Sequence, residues 1–146
     1  MPLDLVLVVQ LSASAFMAGV IWIVQLVHYP MFDAVSGPDS RDRFRSHQSW
    51  TPLVVVPPML LEGATALALA VAPPAGIGRS AAVAGVVLVA ALWLSTGLVQ
   101  MPLHARLGHH GHDPGTVARL VATNWFRTVL WSARAVLAAW MLRAAT

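Results

Sequence analysis

No cysteine and no lysine occur in this chain of 146 residues, and glutamate occurs once. Without cysteine there is no disulfide and no thiolate metal site, and the redox compartment is left open. Charged residues make up 10% of the chain, against about 25% in a soluble domain. That is too little charge to cover a water-facing surface. All nine basic residues are arginine, and they leave a net charge of +3. So few arginines, spread along the chain, give no basic patch for nucleic acid. The N-terminal Met-Pro-Leu-Asp lacks the basic start of a secretory signal, and the apolar run behind it is too long for one, so a retained first span is expected. Also missing are a glycine-rich phosphate loop, a G-x-S-x-G elbow and any E-x-x-H type metal spacing.

What the chain does have is apolar residues, 58% of the total, gathered in long runs. A span needs about 20 of them. Four segments qualify: roughly Leu5–His28, Pro52–Val71, Ser80–Gln100 and Gly115–Leu142. Residues 31–51 form a polar connection, with Asp39 or Ser40 placed to cap a short interfacial helix. Residues 72–79 form a Pro/Gly turn, and 103–114 a His-rich turn. Connections this short make neighbours antiparallel. The expected fold is an all-α integral membrane protein, a single four-helix up-and-down transmembrane bundle over residues 1–146. Arginines 41, 43, 45 and 106 outnumber 79 and 143 across the membrane, which puts both termini outside the cytoplasm. A weak repeat is also visible. Val24-Gln25 recurs as Val99-Gln100 and Trp50 as Trp125, and His28 has a counterpart in His104. That suggests two related helical hairpins.

A helix turns 100° per residue, and on that wheel each span carries one polar stripe. The stripes are Gln10, Ser14, Gln25 and His28; Glu62 with Pro58, Met59 and Thr65; Trp93, Thr96, Gln100 and His104; and Asn124, Arg127, Trp131 and Arg134. Such stripes face a bundle interior rather than lipid. Depth adds a second constraint. Glu62 lies ten residues past Pro52 and Arg127 about twelve past Gly115, each roughly 15–18 Å deep at 1.5 Å per residue. An unpaired Arg at mid-membrane costs on the order of 3 kcal/mol on insertion scales. A structural ion pair between Glu62 and Arg127 is therefore expected. Arg134, two turns further on, either faces Ser14 and Gln10 or snorkels to the far interface. Trp50 and Trp140 read as interface anchors, and His109, His110 and His112 as a solvated turn. No metal is expected.

The interior chemistry admits three classes of function. The first is an enzyme acting on an apolar, oxygen-bearing ring that arrives from the bilayer. His28 or His104 would be the base, Arg127 and Asn124 would hold a developing oxyanion, and Gln25, Gln100, Trp93, Trp131 and His47 would contact substrate. That reading needs no cofactor. The second is a redox protein with haem b between His28 and His104. The third is a non-catalytic carrier or accessory subunit. Lipid and an apolar small molecule are the expected partners, and a homo-oligomer is compatible with all three.

The stretch Q-M-P-L-H-A-R-L (Gln100 to Leu107), followed by L-V-A-T-N-W-F-R-T-V-L-W-S-A-R (Leu120 to Arg134), resembles the C-terminal half of the anthrone oxygenase-like family of small four-span membrane proteins. The matching positions are Pro102, Leu107, Asn124 and Arg127. Trp125 follows Asn124, where the family tends to place its Trp ahead. The motifs H-Y-P (His28 to Pro30) and P-P-M-L-L-E (Pro57 to Glu62) suggest a separate branch, of bacterial inner-membrane proteins. The resemblance implies an oxidoreductase that turns anthrones into anthraquinones without an obvious cofactor.

Overall fold

A computed structural model describes residues 3–146. Helix α1 covers Leu3–Ile23, runs into a π-helical turn at Val24–His28 and ends in a 3₁₀ turn at Pro30–Ala34. Helix α2 follows at Ser40–Val71. Helix α3 covers Arg79–Ser95 and passes through a second π turn, Thr96–Gln100, into α4 at Met101–His110. Helix α5 closes the chain at Pro114–Ala145. No strand occurs among the described residues. The order repeats: a helix that widens into a π turn, a short piece, then a helix of 32 residues.

The π turns have a covalent cause. Each ends two residues before a proline, Pro30 and Pro102. A proline ring clashes with the carbonyl one turn back and supplies no N–H. Widening the preceding turn relieves this, and Tyr29 N donates to Val24 O, five residues back, at 2.9 Å. Gln25 and Gln100 are the buried residues of the two turns.

Among the described residues, three helical stretches are long and apolar enough to cross a membrane: Asp4–Ala34, Ser40–Val71 and Arg79–His110. Helix α5 has the length but is not among them, because Asn124, Arg127 and Arg134 interrupt its apolar run. The outer surface is apolar, with Leu5, Phe16, Leu60, Leu98, Val129 and Val136 all exposed. Large exposed apolar surface is unfavourable in water, and these are the features of a membrane protein.

Two expected boundaries are corrected. Residues 40–51 are not a polar connection with a separate short helix; they are the first turns of α2. Pro52, Pro57 and Pro58 lie inside that helix without ending it. Inside a protein-packed or lipid-embedded helix the freed carbonyls are re-satisfied locally, so prolines are tolerated there. Asp39 sits at the cap position but makes no side-chain cap bond, and the Ser40 hydroxyl instead accepts from His112 N at 3.3 Å. Likewise the third span does not end near Gln100. It continues past Pro102 to His110, and the His-rich turn shrinks to Gly111–Asp113. Gly111 takes φ +83°, a backbone conformation open to glycine at little cost. Asp113 then caps α5, accepting from Thr116 N at 3.1 Å and from the Thr116 hydroxyl. Those bonds, the hydroxyl's first, hold its carboxyl below the usual carboxylate range.

Helix α1 packs on α5 and α2, and α3 packs on α2 and α5. The rods form a ring around one interior, with α1 and α3 on opposite corners. Three layers of core fill it. Tyr29, Phe32, Phe44, Leu103, Leu107, Val117 and Leu120 lie at one end. Met17, Ile21, Met59, Leu92 and Trp131 lie in the middle. Val6, Leu7, Leu69, Ile77 and Met141 lie at the other end.

Candidate functional site

Near the histidine end the core is not filled. A cavity of about 550 Å³ lies between α1, α2, the second π turn with α4, and α5. Its walls are largely apolar: Met17, Ile21 and Val24 come from successive turns of α1, and Val55 and Met59 from α2. Trp93, Thr96, Gln100 and His104 all line it from one face. Two glycines shape it. A Cβ on Gly63 would meet the Trp93 indole at 3.0 Å, so the glycine lets that ring lie on α2. Gly97 lines the cavity with open space in front of its α-carbon. Val56, Trp93 and Met101 belong to both the wall and the exposed apolar surface. The cavity therefore opens sideways, not toward a helix end.

Its polar groups collect on one side. Tyr29, His47, His104 and Arg127 line it. The Tyr29 hydroxyl meets His104 Nε2 at 2.9 Å. His47 and His104 pack at a tilt with 5.0 Å between ring centroids, and His47 and His28 do so at 4.7 Å. His28 Nε2 and His47 Nδ1 are 3.0 Å apart, and the Thr51 hydroxyl also reaches His47 Nδ1 at 3.0 Å. Gln48 Nε2 donates to His104 O at 2.6 Å and fixes α2 to α4 here. The three imidazoles thus run in a file, from half-buried His28 through His47 to His104 in the wall.

Arg127 is held from behind. Its Nη1 donates to Asn124 Oδ1 at 3.1 Å, Asn124 Nδ2 donates to Gln25 Oε1 at 2.9 Å, and Gln25 Nε2 donates to Val121 O at 3.2 Å. Its guanidinium lies over Trp131, 5.0 Å from the ring centre, within cation–π range. Asn124, Gln25 and Trp131 are buried behind the wall rather than in it. His28 likewise touches the cavity only through His47. Gln100 lines the cavity and donates to Thr123 Oγ1 at 3.0 Å.

The expected ion pair between Glu62 and Arg127 is corrected. Glu62 faces Arg134, with Nε to Oε1 at 3.9 Å, and both side chains are essentially inaccessible. The Ser14 hydroxyl donates to Glu62 Oε1 at 2.7 Å and Trp131 Nε1 to Oε2 at 2.9 Å. Depth has to be counted from Ser40, where α2 begins, and not from Pro52. Glu62 is then 22 residues along α2 and Arg134 20 residues along α5, about 33 and 30 Å at 1.5 Å per residue. Arg134 turns inward to Ser14's partner and does not snorkel. Gln10 Nε2 reaches Met141 Sδ at 3.4 Å in the same layer.

Tyr29 escaped the sequence reading, although it is the only tyrosine and adjoins His28. Gln48 and Thr51 lie before Pro52, in what reads as a polar connection, while Met59 was expected on the Glu62 face and lines the cavity. On the turn, His112 pairs with Asp33 at 3.8 Å. No set of three His, Cys, Asp or Glu side chains is placed to hold a metal among the described residues.

No family model, curated protein or solved structure matches the chain.

Proposed function

We propose that the chain is a four-span protein of the bacterial inner membrane, and that its cavity is the active site of a cofactor-independent oxygenase for apolar phenolic or anthrone-like rings. The observation that carries this is the cavity's asymmetry. Apolar walls open sideways toward the acyl chains, and one side presents Tyr29, His47, His104 and Arg127 together. A flat ring would enter from the bilayer and lie along Trp93 with its oxygen at Arg127.

His104, with Tyr29 bonded to it, is the base in this reading, and His47 and His28 form the route by which its proton leaves. Imidazole suits proton transfer near neutral pH. Arg127 stabilises the enolate oxygen as the ring carbon loses its proton; Asn124 and Gln25 keep the guanidinium aimed. The electron-rich carbon then reduces dioxygen and bonds to it, giving a hydroperoxide. Protonation and loss of water leave the quinone carbonyl, so one dioxygen gives one carbonyl and one water. A haem between His28 and His104 is less well supported, since the His47 ring lies between the two and touches both.

The test is oxygen uptake by the purified protein with anthrone, followed beside the appearance of anthraquinone. His104→Gln is expected to lower the rate at least about 100-fold, the usual contribution of a general base. Full activity in that variant, or none in the wild type with any such ring, would remove this reading.

A further inference from the structure

Three formally charged side chains other than histidine are buried in the described structure: Glu62, Arg127 and Arg134. Two are positive and one is negative, so the interior carries one uncompensated positive charge. Arginine does not shed its proton in proteins. Glu62 is committed to Arg134 and to the Ser14 and Trp131 donors. Arg127 takes part in none of the four ion pairs of the described residues. Its neighbours are neutral: Nη1 donates to the Asn124 amide, and the Tyr29 hydroxyl lies beside the guanidinium. Its Nε, like the guanidinium nitrogens of Arg134, is buried without a hydrogen bond, so what sets Arg127 apart is the missing carboxylate. Yet Arg127 is only 6% exposed and lines the cavity. A buried cation without a counter-charge is costly, and here it faces the one space where a counter-charge can be received.

We infer that the cavity takes its ligand as a monoanion: an apolar body bearing one negatively charged oxygen group, a carboxylate or phenolate, that pairs with Arg127. This deepens the oxygenase reading and rests on its cavity. It requires the substrate to arrive already ionised, or to ionise on binding, so the anion is a ground-state partner of Arg127 and not only a transient. The fork of the guanidinium matches a carboxylate geometrically. The apolar walls select against small hydrophilic anions, which gain nothing from them.

The test compares matched probes on the detergent-solubilised protein by calorimetry: 9-anthracenecarboxylate against 9-anthracenemethanol, and hexadecanoate against hexadecanol. The first pair represents ring ligands and the second acyl ligands. In at least one pair the anion is expected to bind about tenfold tighter or more, a factor worth one ion pair in a shielded site. Arg127→Gln is expected to abolish that preference and Arg127→Lys to retain part of it. Should Arg127→Gln fail to fold, the wild type is titrated through the probe's own carboxyl pKa, where affinity must fall as the carboxylate is protonated. Equal binding of acid and alcohol in both pairs, an unchanged preference in Arg127→Gln, or a flat titration would overturn the inference. Anion preference without any turnover sinks the oxygenase reading and keeps this one; turnover without anion preference does the reverse.

Discussion

Arg127 and Arg134 stand seven residues apart on the same face of α5, and their surroundings could hardly differ more. Around Arg134 the interior is closed: Ser14 and Trp131 bond Glu62, which faces Arg134 at 3.9 Å as a counter-charge without a hydrogen bond, and a Cβ on Gly85 would already touch Nη1 at 3.0 Å. Around Arg127 the interior is open, the counter-charge is missing and imidazoles gather. The same side chain therefore faces a carboxylate in one layer and a cavity in the other. A buried charge with its partner already in the fold speaks for stability. A buried charge without one, beside a cavity, points to something that comes and goes.

The contrast breaks most readily at Glu62. Glu62→Gln leaves Arg134 without its only counter-charge, and truncating one partner of a buried pair costs about 3–5 kcal/mol. The expected outcome is a large drop in unfolding midpoint in detergent, with binding at the cavity kept in whatever protein remains folded. A double-mutant cycle with Arg134→Gln should show strong coupling, and the same cycle with Arg127→Gln weak coupling; the opposite ranking would falsify the division into two layers. Gly85→Ala is next. Its methyl presses on the Arg134 guanidinium and on Met141 in a fully buried layer, so about 1–3 kcal/mol of overpacking is expected. Thermal unfolding reads the loss, and turnover should be nearly unchanged. The smallest effect is at the water-facing cap. Asp113→Ala removes a carboxylate whose bonds to Thr116 lower its pKa on folding. A depressed folded pKa means that stabilisation is present above the unfolded value and lost as pH falls through the folded one. The variant should therefore melt slightly below wild type at neutral pH and converge with it in acid.

How much of this could be read without coordinates follows from two kinds of information. Direction around a helix was legible. Gln10, Ser14, Asn124, Arg127, Trp131 and Arg134 share stripes at 100° per residue, and all six are buried. The inward face of α3 and α4 was equally plain, from Trp93 to His104. Position along the axis was not. The polar character of residues 31–51 put the start of the second span at Pro52, and that single shift of twelve residues from Ser40 exchanged the partner of Glu62. The π turns escaped for a related reason. A proline after an apolar run announces a stop, whereas here the chain widens by one residue and carries on. Tyr29 falls just past the expected end of the first span at His28, and so its hydroxyl on His104 is not legible from the stripes.

The greasy layer of Val6, Leu7, Leu69, Ile77 and Met141 beneath the Glu62 group has a consequence of its own. It turns the interior into a cul-de-sac. In the proposed reading, a guest meets this apolar plug and leaves through the sideways opening by which it came. Traffic through this molecule would then be paced by how readily the guest returns to the surrounding oil.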